Sequence, residues 1–294
     1  MEEVLQQVIN ALSVGSIYAL IALGYTMVYG IIQLINFAHG DVYMVGAFVG
    51  YWSMAVARLG FVESLALGML ACMVLGVVIE RVAYKPLRNS TRIAVLITAI
   101  GMSLLLEYTM MFFVGAEAKQ YPALPDFLNG TVQVAGITVR NQQLIIIGIA
   151  ILLMALLQFV VRTTRVGKAM RAVSQDQDAA RLMGINVDNT ISATFAIGSA
   201  LAGAAGVLVG IYYNSINPLM GILPGLKAFV AAVFGGIGLI PGALIGGYFI
   251  GFTETGVSAA GYSMYKDAVV FAILIVILIV KPAGLLGRDV REKV

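Results

Sequence analysis

The chain has 294 residues, of which 60% are hydrophobic and only 11% are charged. Its mean hydropathy is +0.95. A soluble globular domain carries about 25% charged residues, so this composition excludes that class and indicates an integral membrane protein. The net charge is only +3, and no basic stripe is interleaved with aromatic residues, so we expect no nucleic-acid partner.

Long, continuously apolar segments predict an all-α fold, a polytopic transmembrane helical bundle. About 18–20 apolar residues cross a bilayer as a helix, whereas a β-barrel needs alternating segments of about ten residues. The candidate spans are 8–32, 42–57, 61–79, 93–114, 143–161, 190–213, 224–258 and 267–280. Glycine and proline interrupt 224–258, so it crosses once or twice. The result is a single transmembrane domain, 1–294, with eight or nine spans.

A polar break separates the first two spans near 33–42, in the stretch "LINFAHGDVYMVGAF". One interpretation is a tight cytoplasmic turn, in which Asn36 caps a helix end and Asp41 caps the next start. A second is a broken helix lining a permeation pathway with Asn36 and His39, where Gly40 lets the backbone bend or approach closely. A third gives His39 a proton-coupling role, because histidine titrates near neutrality. The sequence leaves all three open.

Basic residues fall into three clusters between or after the spans and predict the orientation. They are Arg81, Lys85, Arg88 and Arg92; Arg162, Arg165, Lys168, Arg171 and Arg181; and Lys281, Arg288, Arg291 and Lys293. By the positive-inside bias these clusters are cytoplasmic and the loop 115–142 is external. With the N-terminus outside and the C-terminus in the cytoplasm, the number of crossings is odd. We therefore expect 224–258 to cross twice, turning near "GLIPGAL".

The external loop and the polar segment 162–190 each predict local structure. In the loop, "VQVAGITVR" partly alternates about Ala135-Gly136 and predicts a small hairpin. Segment 162–190 predicts a short amphipathic helix that Gly184 can end. Four apolar residues fall near one face of that helix: Met170, Val173, Ala180 and Met183. Such a helix lies on the lipid surface or docks a cytoplasmic partner.

Within this segment, "DAARLMG", residues 178–184, resembles the EAA-x-x-x-G loop of ABC importer permeases, with aspartate in place of the usual glutamate. Four longer stretches are similar to Liv-type permeases for branched-chain amino acids, over about residues 10–287. They are "INFAHGDVYMVGAF", "ERVAYKPLRNSTRIAVLITAIGMSLLLE", "RAVSQDQDAARLMGIN" and "LKAFVAAVFGGIGLIPGALIGG". The resemblance implies a coupling helix that sits in a cleft of an ATPase subunit. Its candidate residues are Arg171, Gln175, Asp176, Asp178, Ala179, Ala180 and Gly184.

The resemblance also implies a division of labour in a bacterial inner membrane. This chain would pair with a homologous second permease, two cytoplasmic ATPases would supply energy, and an external solute-binding protein would deliver branched-chain or other neutral amino acids. The chain contains no G-x-x-x-x-G-K-[ST] loop, so ATP and Mg²⁺ would be used by the ATPase partner and no cofactor by this chain. Urea or a short amide is the alternative cargo. A stand-alone channel or secondary transporter would need a coupling-ion site of buried carboxylates.

Enzymatic activity is not expected, because the sequence shows no nucleophile–base arrangement and no metal-ligand spacing. Most zinc sites and catalytic triads use histidine, and the chain has only one, so most sites of these kinds are excluded.

A second break, 229–251, is dense in glycine and either packs helices closely or forms a discontinuous pathway segment. Lys227 could snorkel to the interface, pair with Glu254 or a carboxylate of the partner subunit, or attract the substrate carboxylate. Glu107, a charge within the span 93–114, could face the subunit interface. The candidate pathway residues are Asn36, His39, Gly40, Lys227, Gly235 and Gly236.

Overall fold

A computed structural model describes residues 2–88, 90–122, 126–134 and 137–287 of the chain. The helices of these residues are α1 Glu2–Ile32, α2 His39–Ala55, α3 Phe61–Ile79, α4 Arg92–Val114, α5 Asp126–Asn129, α6 Asn141–Thr163, α7 Arg165–Gln175, α8 Gln177–Leu182, α9 Val187–Tyr213, α10 Ile222–Gly235, α11 Ile240–Ala259 and α12 Lys266–Val280. The short strands are β1 Lys119–Gln120, β2 Thr131–Val134, β3 Ile137–Arg140 and β4 Ser215–Ile216. A π-helix, Glu80–Tyr84, and a 3-10 turn, Lys85–Leu87, continue α3, and a 3-10 turn, Ser263–Tyr265, precedes α12.

Every predicted span coincides with a helix, and the predicted all-α bundle is confirmed. The interrupted region 224–258 forms two helices, α10 and α11, separated at residues 236–239. Among the described residues, six helical segments are long and apolar enough to cross a membrane: Glu2–Ile32, Phe61–Leu87, Ile93–Val114, Asn141–Thr163, Val187–Tyr213 and Ser263–Val280. By contrast, α2 has only 17 residues and α10 only 14. Such short helices are stable in a bilayer when other helices surround them.

The core of the bundle is built around α1 and α9, which are buried over most of their length. Small residues bring helices together at backbone distance: a Cβ on Gly247 or Gly251 of α11 would overlap the backbone of α1. The peripheral helices instead expose large apolar side chains, such as Phe112 of α4, 83% exposed, and Ile279 of α12, 77% exposed. Exposed apolar surface of this extent is suited to lipid or to another membrane subunit.

One end of the bundle carries the short strands. The predicted hairpin is confirmed, since β2 and β3 pair antiparallel with Thr131 opposite Arg140; its predicted centre, Ala135-Gly136, lies outside the described residues. Beside it β1 pairs with β4, and the Tyr121 hydroxyl donates to the Ala47 carbonyl at 2.7 Å. Burial raises the pKa of Tyr121, which keeps this donor protonated.

The opposite end of the bundle carries most of the predicted basic clusters. Arg88, in the connection after α3, pairs at 2.5 Å with Asp188 of α9, which belongs to the predicted polar segment 162–190. In that segment, Gln177 donates to the Ile31 carbonyl at the end of α1 (3.4 Å). The first two clusters therefore share one end. Three members of the third cluster, Arg288, Arg291 and Lys293, lie outside the described residues.

Candidate functional site

The connection between α1 and α2 turns back into the bundle. Gln33 has a positive φ of 53° directly after α1, and α2 begins at His39. The His39 ring lies against Gly24 so closely that a Cβ on Gly24 would overlap it. Gly24 lies eight residues before the last residue of α1, which is roughly 12 Å along the axis. The start of α2 therefore lies inside the bundle, as the broken-helix alternative expects and the tight turn does not.

The polar residues of this break contact the surrounding helices. Asn36 accepts a hydrogen bond from the Tyr84 hydroxyl at 2.9 Å. His39 is 1% exposed, and its ring meets Tyr25 edge-on with centroids 4.8 Å apart. Among the described residues, the His39 Nε2 atom has no hydrogen-bond partner. His39 therefore packs as a buried ring between α1 and α2.

The prediction that Asp41 caps α2 is wrong. The N-cap position is Ala38, without a side-chain hydrogen bond, and Asp41 lies in the first turn of α2. There its Oδ2 accepts a hydrogen bond from the Ser103 hydroxyl of α4. Asp41, Ser103 and the buried Glu107 line a cavity of about 260 Å³. The carboxylate still benefits from the positive end of the helix dipole.

Gly40 brings the starts of α2 and α10 together. A Cβ on Gly40 would overlap the Gly221 carbonyl and lie 3.1 Å from the Cα of Gly225. The reciprocal positions are as tight, since a Cβ on Gly221 would overlap the Gly40 carbonyl. Only glycine fits such a backbone contact. Two short helices thus begin side by side within the bundle.

Lys227 is the centre of a buried charge cluster. Its Nζ lies 3.1 Å from Glu254 Oε1 and 2.6 Å from Asp267 Oδ1. Glu254 also pairs with Lys266 at 2.9 Å and accepts a hydrogen bond from the Tyr18 hydroxyl at 2.7 Å. Lys227 and Glu254 are 4% and 5% exposed. The pairing with Glu254 is therefore what the structure shows, and Lys227 does not snorkel to the surface.

Sequence reasoning missed three members of this cluster, namely Tyr18, Lys266 and Asp267. The available signal was the adjacent "KD" pair at the start of the last span. Charges at that position are ordinarily explained as interfacial. Nothing in the spacing indicated that the start of α12 lies beside Lys227.

Two adjoining cavities meet at this cluster. The inner one has a volume of about 240 Å³ and the outer one about 660 Å³. The inner cavity is lined by Val14, Ile17, Tyr18, Tyr43, Val209, Tyr213, Leu223, Pro224, Lys227, Glu254, Lys266 and Asp267. The outer cavity is mostly polar, and it shares Val14, Tyr213, Glu254 and Lys266 with the inner one. The ion pair between Glu254 and Lys266 thus lies where the two cavities join.

Gly235 and Gly236 lie at the other end of α10 from Gly221. A Cβ on Gly235 would overlap the Gly242 carbonyl, and Gly236 has a φ of 104°. The last carbonyls of α10 are satisfied by the C-terminal segment, in which the Leu285 N–H donates to Phe234 at 2.8 Å. The structure therefore divides the predicted pathway residues among three places: the start of α2, the Lys227 cluster and the turn between α10 and α11.

The predicted coupling segment forms two helices, α7 and α8, instead of one. The chain is extended at Asp176 (φ −157°, ψ 113°), whose carboxylate caps α8 by accepting from the Asp178 and Ala179 N–H groups, each at 2.9 Å. Gly184 has a φ of 82° and follows α8, as predicted. A side chain that caps the second helix explains why one helix does not continue through the segment.

One face of this segment is buried against the bundle and the other is exposed. Met170, Val173 and Ala180 are buried as predicted. The prediction for Met183 is wrong, because the chain turns at the end of α8 and leaves Leu182 and Met183 89% and 82% exposed.

The polar candidates of the segment lie at its surface. Arg171, Gln175, Asp178 and Ala179 are exposed, and Arg171 donates to the Val161 carbonyl of α6. Asp178 forms a surface ion pair with Arg181 at 3.1 Å.

These features define a class: a polytopic helical membrane protein with buried charge, internal cavities and a folded polar segment at one end. A family model described as "branched-chain amino acid transport system / permease component" matches residues 7–278. The chain belongs to this family.

Individual relatives are similar over nearly the whole chain. The permease protein BraD of Pseudomonas aeruginosa, named for high-affinity branched-chain amino acid transport, is 44% identical, covering 99% of this chain and 98% of BraD. The correspondingly named LivH of Escherichia coli K12 is 45% identical, covering 99% and 97%. A probable LivH of Methanocaldococcus jannaschii is 30% identical, covering 95% and 91%.

One solved structure shares the fold. PsaBC from Streptococcus pneumoniae in complex with Fab matches with a TM-score of 0.51 and 12% identity, covering 93% of this chain and 91% of that chain.

Proposed function

We propose that this chain is the membrane-spanning permease subunit of an ATP-driven ABC importer for branched-chain or other neutral amino acids. The observation that carries the proposal is the 44–45% identity, over 99% of the chain, to permeases named for high-affinity branched-chain amino acid transport. Those names favour amino acids over urea or a short amide as cargo. The chain provides the route through the membrane and no catalytic group.

The α7–α8 segment supports a docking role for the cytoplasmic ATPase. Its buried face fixes it to the bundle, while Leu182 and Met183 are exposed beside Asp178. An exposed apolar pair next to charges is typical of a protein interface. Closure of two ATPases would pull this segment and its counterpart on a second, homologous permease together. ATP and Mg²⁺ would be bound by the ATPases.

The remaining parts of the assembly follow from the same proposal. The strand-bearing end, with segment 115–142, would face outward and receive amino acids from an external binding protein. The basic end would face the cytoplasm, with the N-terminus outside and the C-terminus inside, in a bacterial inner membrane. The exposed apolar faces of α4 and α12 would contact lipid and the second permease.

The test is reconstitution of the complete assembly in proteoliposomes. This chain is co-purified with the products of its neighbouring genes, and uptake of labelled leucine is measured with ATP inside. Uptake that requires both the ATPase and the binding protein is the expected result. An assembly that takes up urea or an amide instead of leucine would contradict the proposed cargo. Failure of this chain to recruit any ATPase would contradict the proposed ABC importer.

A further inference from the structure

We propose that the inner cavity beside Lys227 is a binding site for the substrate, one that recognises an α-amino acid as a zwitterion with an aliphatic side chain. This inference rests on the proposed function and adds to it the residues that hold the cargo. Six helices, α1, α2, α9, α10, α11 and α12, contribute to the cavity. Its wall is therefore built by helices from across the bundle and not by the face of a single helix.

The charges of the site match those of a zwitterion. Lys227 and Lys266 supply two positive charges, and Glu254 and Asp267 supply two negative charges, all within one chain of ion pairs. A charge buried without compensation is costly. An α-amino acid brings one ammonium and one carboxylate, so its entry leaves the cluster neutral. A lone anion or cation would instead leave the site with a net charge.

The pairing geometry indicates which end of the substrate meets which residue. The Lys266 side chain is 38% exposed and lies where the outer and inner cavities join, so it is accessible to an incoming carboxylate. Glu254 Oε1 is shared by Lys227 and Lys266. When the carboxylate takes Lys266, Glu254 loses one of its two lysine partners and can accept the substrate ammonium in that place. Lys227 stays paired with Asp267 throughout.

Apart from three tyrosines, the rest of the cavity wall is aliphatic. Ile17 of α1, Val209 of α9 and Leu223 of α10 face the same space as the charges. The aliphatic side chain of leucine or valine would pack there while its charged end stays at the cluster. Because the lysines and carboxylates already satisfy one another, the substrate must exchange existing ion pairs. Binding is therefore weak, which favours release toward the cytoplasm.

The first test measures cargo discrimination. Leu223→Phe reduces the space for the side chain, and Leu219→Phe is its matched control, because both leucines are 48% exposed but only Leu223 lines the cavity. Uptake of leucine and valine is compared in the reconstituted transporter with the binding protein saturated. A change of one methylene in an apolar pocket is worth roughly 10-fold or more in discrimination. We expect the leucine-to-valine ratio to fall in Leu223→Phe and to stay unchanged in Leu219→Phe.

The second test measures the charge contact. Lys266→Met removes the accessible cation but leaves the pairs of Lys227 with Glu254 and Asp267 in place. Because these pairs still join α10, α11 and α12, we expect the variant to fold. Arg58→Met, which removes an exposed cation between α2 and α3 and outside segment 115–142, is the control. Loss of a hydrogen bond to a charged group costs enough free energy to lower transport about tenfold. We expect this loss in Lys266→Met alone, with assembly and ATP hydrolysis retained.

The outcomes separate the two proposals. If the unaltered assembly takes up no leucine, the proposed function fails. If it takes up leucine and both Leu223→Phe and Lys266→Met behave like their controls, the importer stands and the substrate site in this cavity is refuted. If Lys266→Met is slow but the leucine-to-valine ratio is unmoved by Leu223→Phe, the cluster is a structural element and the proposed site is likewise overturned.

Discussion

At the scale of single residues, the buried ion pair between Glu80 and Arg88 holds two distant parts of the chain together. Glu80 lies in the π-helix after α3 and is 0% exposed. It pairs with Arg88 and also accepts a hydrogen bond from the Ser192 hydroxyl of α9 at 2.6 Å. Arg88 in turn pairs with Asp188. The pair therefore joins the α3–α4 connection to the helix that follows the α7–α8 segment.

Removing one partner of this pair should lower the stability of the fold far more than removing both partners. Arg88→Met leaves the buried Glu80 carboxylate with only the Ser192 hydroxyl as a partner among the described residues, and such a loss typically costs about 3–5 kcal/mol. We expect a large fall in thermal stability of the purified protein in detergent. The double variant Glu80→Gln with Arg88→Met should recover much of the lost thermal stability, because no unpaired carboxylate is then buried.

An exposed ion pair provides the control for this prediction. Arg181→Met breaks the surface pair with Asp178, whose side chains are 58% and 88% exposed, and such pairs contribute about 0–1 kcal/mol. Equal losses of stability in Arg88→Met and Arg181→Met would contradict the assigned role of the Glu80 pair.

At the scale of secondary-structure elements, the α7–α8 segment combines a rigid base with an exposed tip. Thr164 begins α7 by accepting a hydrogen bond from the Gly167 N–H at 3.1 Å, and Asp176 begins α8. At the tip, Gly184 donates its N–H to the Arg181 carbonyl at 3.0 Å. Capped ends on both helices suit the proposed role of an element that transmits the motion of an ATPase without unfolding.

Two substitutions in this segment should uncouple ATP hydrolysis from transport. Gly184→Pro removes the N–H and cannot adopt the positive φ of the turn, and Asp178→Arg reverses an exposed charge. We expect both variants to insert and both to lose most leucine uptake in proteoliposomes. Glu63→Arg, which reverses an exposed carboxylate in the first turn of α3 and outside segment 115–142, serves as the control. Normal ATP-dependent uptake in both variants would falsify the coupling assignment.

The sequence predicted the elements better than it predicted their contacts. Apolar length located every span, and glycine density located the separation of α10 from α11, because both properties are local. The sequence did not show that α2 begins beside Gly24 or that Lys266 lies beside Glu254, since those contacts depend on how helices pack. Asp176 ends one helix and starts another through its own side chain, a signal that was present in "SQDQDAA" and competed with a continuous apolar face.

At the scale of the whole molecule, the two ends of the bundle differ in composition in a way that matches a membrane orientation. Asn10 and Gln143 are hydrogen-bonded at 2.7 Å at the strand-bearing end, where the 660 Å³ polar cavity opens. The opposite end carries Arg88, Asp188 and the α7–α8 segment. By the positive-inside bias we expect that basic end to face the cytoplasm.

Cysteine labelling of intact cells checks this orientation with two matched glutamines. The only cysteine, Cys72, is buried and is first replaced by alanine. Gln120→Cys, in β1, and Gln175→Cys, at the end of α7, are both exposed positions at opposite ends of the bundle. A membrane-impermeant thiol reagent should label Gln120→Cys in intact cells and Gln175→Cys only after permeabilisation. The reverse pattern would invert the bundle, placing the α7–α8 segment where no cytoplasmic ATPase could reach it.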